Sequence, residues 1–118
     1  DGTVHALGYN RWGQLGLGGT EAYACEPKKI PRLRDIVYIA AGATHSMAID
    51  SKGALFMWGS NRYGKCASYG KGKPSPPVVE FPHKVASLAP VKSVVGGMGH
   101  TVILLRCVEN CVQDTYER

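Results

Sequence analysis

Long apolar runs are missing from this chain of 118 residues. Nowhere does it approach the roughly 18–20 consecutive apolar residues of a membrane-spanning helix; Val102 to Leu105 is only a strand's worth. Cysteine is sparse. Cys25, Cys66, Cys107 and Cys111 are too few for a disulfide scaffold and are not spaced as the paired Cys-x2-Cys ligands of a zinc knuckle. Cysteines without a framework favour an intracellular setting, cytoplasmic or nuclear. The first residues, Asp1 to Val4, carry neither the basic nor the apolar region of a secretory signal. With 44% hydrophobic and 19% charged residues, the composition argues against both extended disorder and a membrane protein.

Acidic residues are absent between Asp50 and Glu80, a stretch that holds Lys52, Arg62, Lys65, Lys71 and Lys73. Over the whole chain 14 Lys and Arg face 9 Asp and Glu, a formal charge of +5, which favours acidic partners over basic ones. What the chain does have is glycine and proline, 15 and 7 residues. That supply suits short strands joined by tight turns better than long helices.

The sequence repeats itself. The segment from Gly2 to Gly13 returns from Gly53 to Gly64, so that Gly8, Asn10, Arg11 and Gly13 correspond to Gly59, Asn61, Arg62 and Gly64. A second half of the unit returns as well: Val37 to Ile49 matches Lys92 to Leu104, aligning Gly42 and His45 with Gly97 and His100. The shift grows from 51 to 55 residues between the two halves, which places an insertion of about four residues near Lys84 to Pro90. A period just above about 50 residues points to a propeller blade rather than a helical repeat.

Local patterns agree with strands. Ile36 to Ala41 is an apolar run that reads as a strand buried on both faces, and His45 to Asp50 follows after a turn at Gly42. Asp50 to Gly53 reads as a hairpin turn and Ala54 to Trp58 as a third strand. Pro77 to Phe81 makes a fourth, which its prolines confine to an edge. The expected organisation is two tandem repeats over 1–106, with one complete antiparallel four-stranded blade at about 36–81. Partial blades flank it: Thr3 to Leu7 with Lys28 to Ile30 before, Val91 to Val95 with His100 to Leu105 after. An extension of unassigned structure follows over 107–118.

The run from Asn10 through Gly13, Gln14, Leu15 and Gly16 to Gly18, the Ala40 to Ala48 segment around Gly42 and His45, and Trp58-Gly59-Ser60-Asn61 together resemble the repeat of the regulator of chromosome condensation family. The resemblance covers residues 1 to about 106. It departs from the family pattern at Leu7, where a Trp is usual, and at Lys65-Cys66-Ala67, which replace Gln14-Leu15-Gly16 of the first copy. It implies an all-β fold, an arc of a seven-bladed β-propeller whose other blades lie in the same protein. It also implies a protein partner, either a small GTPase acted on by an exchange factor or an acidic chromatin or ubiquitin-pathway surface.

Several chemical motifs dissolve against the repeat. Gly59 to Cys66 nearly spells a phosphate loop, but Cys66 stands where a Mg²⁺-binding hydroxyl is needed and the first copy lacks the Lys too. His45-Ser46 and His100-Thr101 resemble base and nucleophile, yet adjacent residues on a strand point to opposite faces. Their recurrence argues for a structural post that bonds backbone at the turn. No catalytic residue, metal or cofactor is expected. The expectation is a non-catalytic interaction propeller, with exchange-factor activity as the alternative. In a blade of alternating strands the first turn and the third-to-fourth loop share one face, which should carry Arg11, Arg62, Lys65, Lys71 and Lys73 as a basic partner-binding surface.

Overall fold

The computed structural model describes residues 2–19, 21–67, 76–86 and 90–106. They form eight strands: β1 (His5–Tyr9), β2 (Tyr23–Lys29), β3 (Ile36–Ala41), β4 (His45–Asp50), β5 (Leu55–Ser60), β6 (Val78–Lys84), β7 (Val91–Gly96) and β8 (Thr101–Leu105). Among the described residues the one helical element is a 3-10 turn at Arg62–Gly64. Three antiparallel sheets result, β1-β2, β3-β4-β5-β6 and β7-β8. The chain is thus an arc of a β-propeller, one four-stranded blade between two half blades. The blade reaches Lys84 rather than Phe81, and β2 runs from Tyr23 rather than Lys28. The extension at 107–118 and part of the Lys84 to Pro90 insertion lie outside the described residues.

The same bonds recur at the shifts seen in the sequence. Ile30 donates to the Val4 carbonyl at 2.8 Å and Val85 to Leu55 at 2.8 Å; Ile36 donates to Gly2 at 3.0 Å and Val91 to Gly53 at 2.9 Å. Each sequence repeat therefore builds the outer strands of one blade and the inner strands of the next. The hairpin at 50–53 is closed by Asp50, whose Oδ1 accepts from the Lys52 and Ala54 N–H groups at 3.0 and 2.9 Å, an Asx turn that the short carboxylate makes possible. β6, with Pro82 inside it, pairs with β5 alone and forms the outer edge, where a missing N–H costs no ladder bond.

The core lies between sheets. Met47, Ile49, Leu55, Met57, Trp58 and Val79 of the complete blade are buried against Ile30 and Leu33 before it and Val91 and Val94 after it. Each such side chain contributes about 1.5–3 kcal/mol by leaving water. β4 and β5 are buried along most of their length because both of their faces are covered. β3 is not, contrary to the reading of Ile36 to Ala41: Val37 and Ile39 are 65% and 62% exposed. The physical reason is the order of the strands. The preceding half blade supplies only its outer pair, β1 and β2, so among the described residues no inner strand stands opposite β3.

Gly59 shows how tightly the blade is closed. Its φ is +107°, and a methyl there would stand 2.6 Å from the Thr44 carbonyl oxygen and 2.8 Å from His45 Cα. Gly64, at φ +74°, has open space where its Cβ would be. Gly59→Ala should therefore destabilise the intact protein by at least ~3 kcal/mol, backbone strain and overpacking together, and Gly64→Ala by only about 1–2 kcal/mol. Denaturant unfolding of the two variants checks the order.

Candidate interaction face

Two buried asparagines shape the loops at one end of the arc. Asn10 accepts the Leu15 N–H on Oδ1 at 3.1 Å and donates from Nδ2 to the Glu21 carbonyl at 3.0 Å. Asn61 repeats this with the Cys66 N–H at 2.9 Å and the Pro76 carbonyl at 3.0 Å. An amide side chain supplies both a donor and an acceptor, so one residue ties the loop start to its middle and its end. The loop so formed lies on the following blade. The Gln14 carbonyl accepts from Ser46 Oγ at 2.7 Å and from Trp58 Nε1 at 2.9 Å, and the Lys65 carbonyl accepts from Thr101 Oγ1 at 2.7 Å. Gln14 and Lys65 are equivalent positions, as are Ser46 and Thr101. The β3-β4 turn at 42–45, the β7-β8 turn at 97–100 and the loops at 10–16 and 61–67 are thereby brought together at one end.

His45 sits in this seam at 1% exposure. Its Nε2 lies 2.8 Å from Thr101 Oγ1. The single hydroxyl hydrogen of Thr101 is already given to the Lys65 carbonyl, so His45 carries its proton on Nε2 and donates. Its partner is a side chain of the next blade and not, as expected, backbone at its own turn. Nδ1 is buried with no hydrogen-bond partner among the described residues. Burial, then the nearby Lys65 ammonium, then His100 hold the imidazole's pKa down at about 4. His100 is itself exposed. Neither histidine is set up as a base for its neighbouring hydroxyl: Ser46 is turned to Gln14, and the Nε2 that meets Thr101 already holds a proton. Among the described residues no three His, Cys, Asp or Glu side chains converge as metal ligands.

The basic residues part company. Arg11 and Arg62 are exposed, their guanidinium groups lying over the rings of Trp12 and Tyr63 at 5.5 and 5.4 Å. Lys65, expected beside them in solvent, is 6% exposed. Its Nζ donates to Thr44 Oγ1 at 2.7 Å and to the Met98 carbonyl at 2.8 Å, because its loop is pressed onto the next blade and the side chain fills the seam. Lys71 and Lys73 lie outside the described residues. The sequence reading passed over Gln14, Thr101 and Trp58 as bonding residues. The hydroxyl shared by Ser46 and Thr101 was the available signal; nothing marked the carbonyls of Gln14 and Lys65, since a backbone group has no letter.

Two predictions follow from the burial of single groups. His45 binds a proton less readily folded than unfolded, so its contribution to stability is complete above pH 6.5 and is lost as the pH falls from there through about 4. The loss amounts to about 3 kcal/mol at about 1.4 kcal/mol per tenfold change in proton affinity; His45→Gln should flatten the acid limb of a stability–pH curve. Burial also pushes the Cys66 thiol up to about 12, and its Sγ donates to the Ser60 carbonyl, whereas Cys25 is exposed. Peptide mapping after brief alkylation of the native protein should show label on Cys25 and none on Cys66.

The regulator of chromosome condensation (RCC1) repeat profile matches residues 1–49 and 52–104, and a second profile of the same repeat matches residues 36–65. The chain is 36% identical over 110 residues to the human probable E3 ubiquitin-protein ligase HERC6, covering 90% of this chain and 10% of that protein. It is 34% identical over 110 residues to the Xenopus laevis regulator of chromosome condensation, covering 90% of this chain and 25% of the relative. Among solved structures it superposes on Prp20p of Saccharomyces cerevisiae, described with its binding to Gsp1p and histones. The TM-score is 0.77 at 25% identity, over 88% of this chain and 27% of that one. It therefore spans about a tenth to a quarter of the length of these proteins. With residues 1–49 and 52–104 both matching the repeat and their bonds recurring in space, the chain belongs to the regulator of chromosome condensation repeat family.

Proposed function

We propose that the arc is a non-catalytic part of a regulatory or scaffold propeller whose remaining blades lie in the same protein, and that it docks a protein partner through the loop end. The observation that carries this reading is the division of labour at that end. The buried polar groups are spent on holding loops to blades, while Arg11 and Arg62 keep their charge in solvent on adjacent repeats, each backed by an aromatic ring. Such stacked arginines suit an acidic surface, on chromatin or on a ubiquitin-pathway protein. Lys71 and Lys73, in the same acid-free stretch of sequence, belong to the proposed surface.

Guanine-nucleotide exchange on a small GTPase is the second reading. It is favoured by likeness to the Xenopus regulator and to Prp20p with its binding to Gsp1p. Exchange needs no acid, base or metal on the propeller, so the geometry of the face is compatible with it. Fold by itself does not confer the activity.

Nucleotide release from a panel of small GTPases should stay at background in the presence of the intact protein, and acceleration would move the assignment to exchange. Retention on immobilised polyglutamate should weaken at least threefold in the double variant Arg11→Ala/Arg62→Ala, with a shallower salt dependence. Unchanged retention would remove the basic face as a docking surface.

A further inference from the structure

The two seams of the arc are built alike but are not equipped alike. At the first, Gln14 is turned back on its own loop, its Oε1 accepting the Trp12 N–H at 2.8 Å, and the facing turn carries the small Ala43. At the second, Lys65 replaces Gln14 and reaches across to the next blade, and Met98 replaces Ala43. The Lys65 ammonium is the anomaly. Lys65 as a whole residue is 6% exposed, and the partners of its Nζ are two neutral oxygens, Thr44 Oγ1 and the Met98 carbonyl. Among the described residues no carboxylate lies within ion-pair distance of it. Buried lysines are ordinarily paired with an acid, and an ammonium has three hydrogens to give; here two are placed.

Around this charge stands an unusual surface. Met98 and Tyr63 are 81% and 78% exposed, the highest values among the large apolar side chains described. They are neighbours across the seam: Met98 supplies the carbonyl that holds Lys65, and the Tyr63 ring lies against Gly99, where an added methyl would come within 3.2 Å of it. The Arg62 guanidinium lies over the Tyr63 ring at 5.4 Å. Tyrosine, methionine and arginine are residue types enriched at protein interfaces.

We infer that the second seam is a recognition site for a protein segment that places an aspartate or glutamate toward Lys65 and an adjacent apolar side chain against Tyr63 and Met98. This rests on the interaction reading above and narrows it to one seam and one partner chemistry. The acid supplies the counter-charge that Lys65 lacks. The thioether and the ring provide the contact area that a phosphate backbone or a lipid headgroup would leave unused. Because Gln stands at the equivalent place in the first seam, the fold tolerates the loss of the ammonium there, and the two seams should differ in ligand although they share a backbone.

The test is selection of a random twelve-residue peptide library displayed on phage against the intact protein, followed by affinities of the enriched peptides for defined variants. Enriched sequences should carry an acidic residue beside Leu, Phe or Met. They should bind Lys65→Gln and the pair Tyr63→Ala/Met98→Ala at least tenfold more weakly, with Arg34→Ala, away from the seam, unchanged. Thermal midpoints of Lys65→Gln within a few degrees of the parent separate lost recognition from lost folding. Where Lys65→Gln unfolds, the surface pair Tyr63→Ala/Met98→Ala decides alone. No enrichment, enriched peptides without an acid, full binding to the folded variants, or preference for an oligonucleotide over acidic peptides would each overturn the site. A loss of polyglutamate binding in the Arg11/Arg62 variant with full peptide binding at Lys65→Gln would sink the seam and leave the general face standing.

Discussion

Everything at the loop end of this arc depends on one backbone oxygen per repeat. The carbonyls of Gln14 and Lys65 receive hydroxyl hydrogens from Ser46 and Thr101 of the blade that follows, and in the first seam the indole of Trp58 adds a second donor. A buried polar group that lost such a partner would cost about 1–3 kcal/mol. The loop is thus held to its neighbour by satisfaction of groups already out of water. Asn10 and Asn61 act one step earlier, fixing the loop's shape so that the carbonyl is presented in the right place. The apolar core alone would leave the loops free to lift, since hydrophobic contact between sheets is non-directional.

Much of this was legible in the amino-acid letters because the unit occurs twice. A glycine, an asparagine or a histidine that returns at a fixed offset reveals itself as architecture, and the repeated Asn10/Asn61 and Gly8/Gly59 pairs led to the blade. Strand order and edge placement followed from the prolines of the Pro77 to Phe81 segment and from the hairpin at Asp50. What stayed hidden has physical causes. Val37 and Ile39 read as interior because their side chains are apolar, but burial also requires an opposing strand. Lys65 read as surface because lysine usually is; only the three-dimensional seam shows that its stem has nowhere else to go. His45 was read as a post, and its bonding partner, 56 residues along the chain, is a relation between blades that no local pattern expresses.

The contrast between the seams also separates the duty of the backbone from that of the side chain within one motif. At Gln14 both the side chain and the carbonyl serve the loop. At Lys65 the carbonyl keeps the structural duty while the side chain reaches across the seam to two neutral oxygens. Variation confined to side chains, over a backbone whose bonds are repeated, lets successive blades hold the same geometry and present different chemistry. Met98 against Ala43 and Tyr63 against Trp12 follow the same division.

The carbonyl links also have a direction. Each loop grips the blade that follows it in sequence, and among the described bonds none of this kind runs backward. The bonding between successive repeats therefore has a polarity along the chain, from the loop of one repeat to the blade of the next. Mechanical failure inherits that polarity. Pulling away the loop at 10–16 would take an acceptor from Ser46 in β4 and Trp58 in β5 while the β1-β2 ladder behind it keeps its bonds, so the groups left unsatisfied lie on the C-terminal side of the break, like links released from one side of a clasped chain.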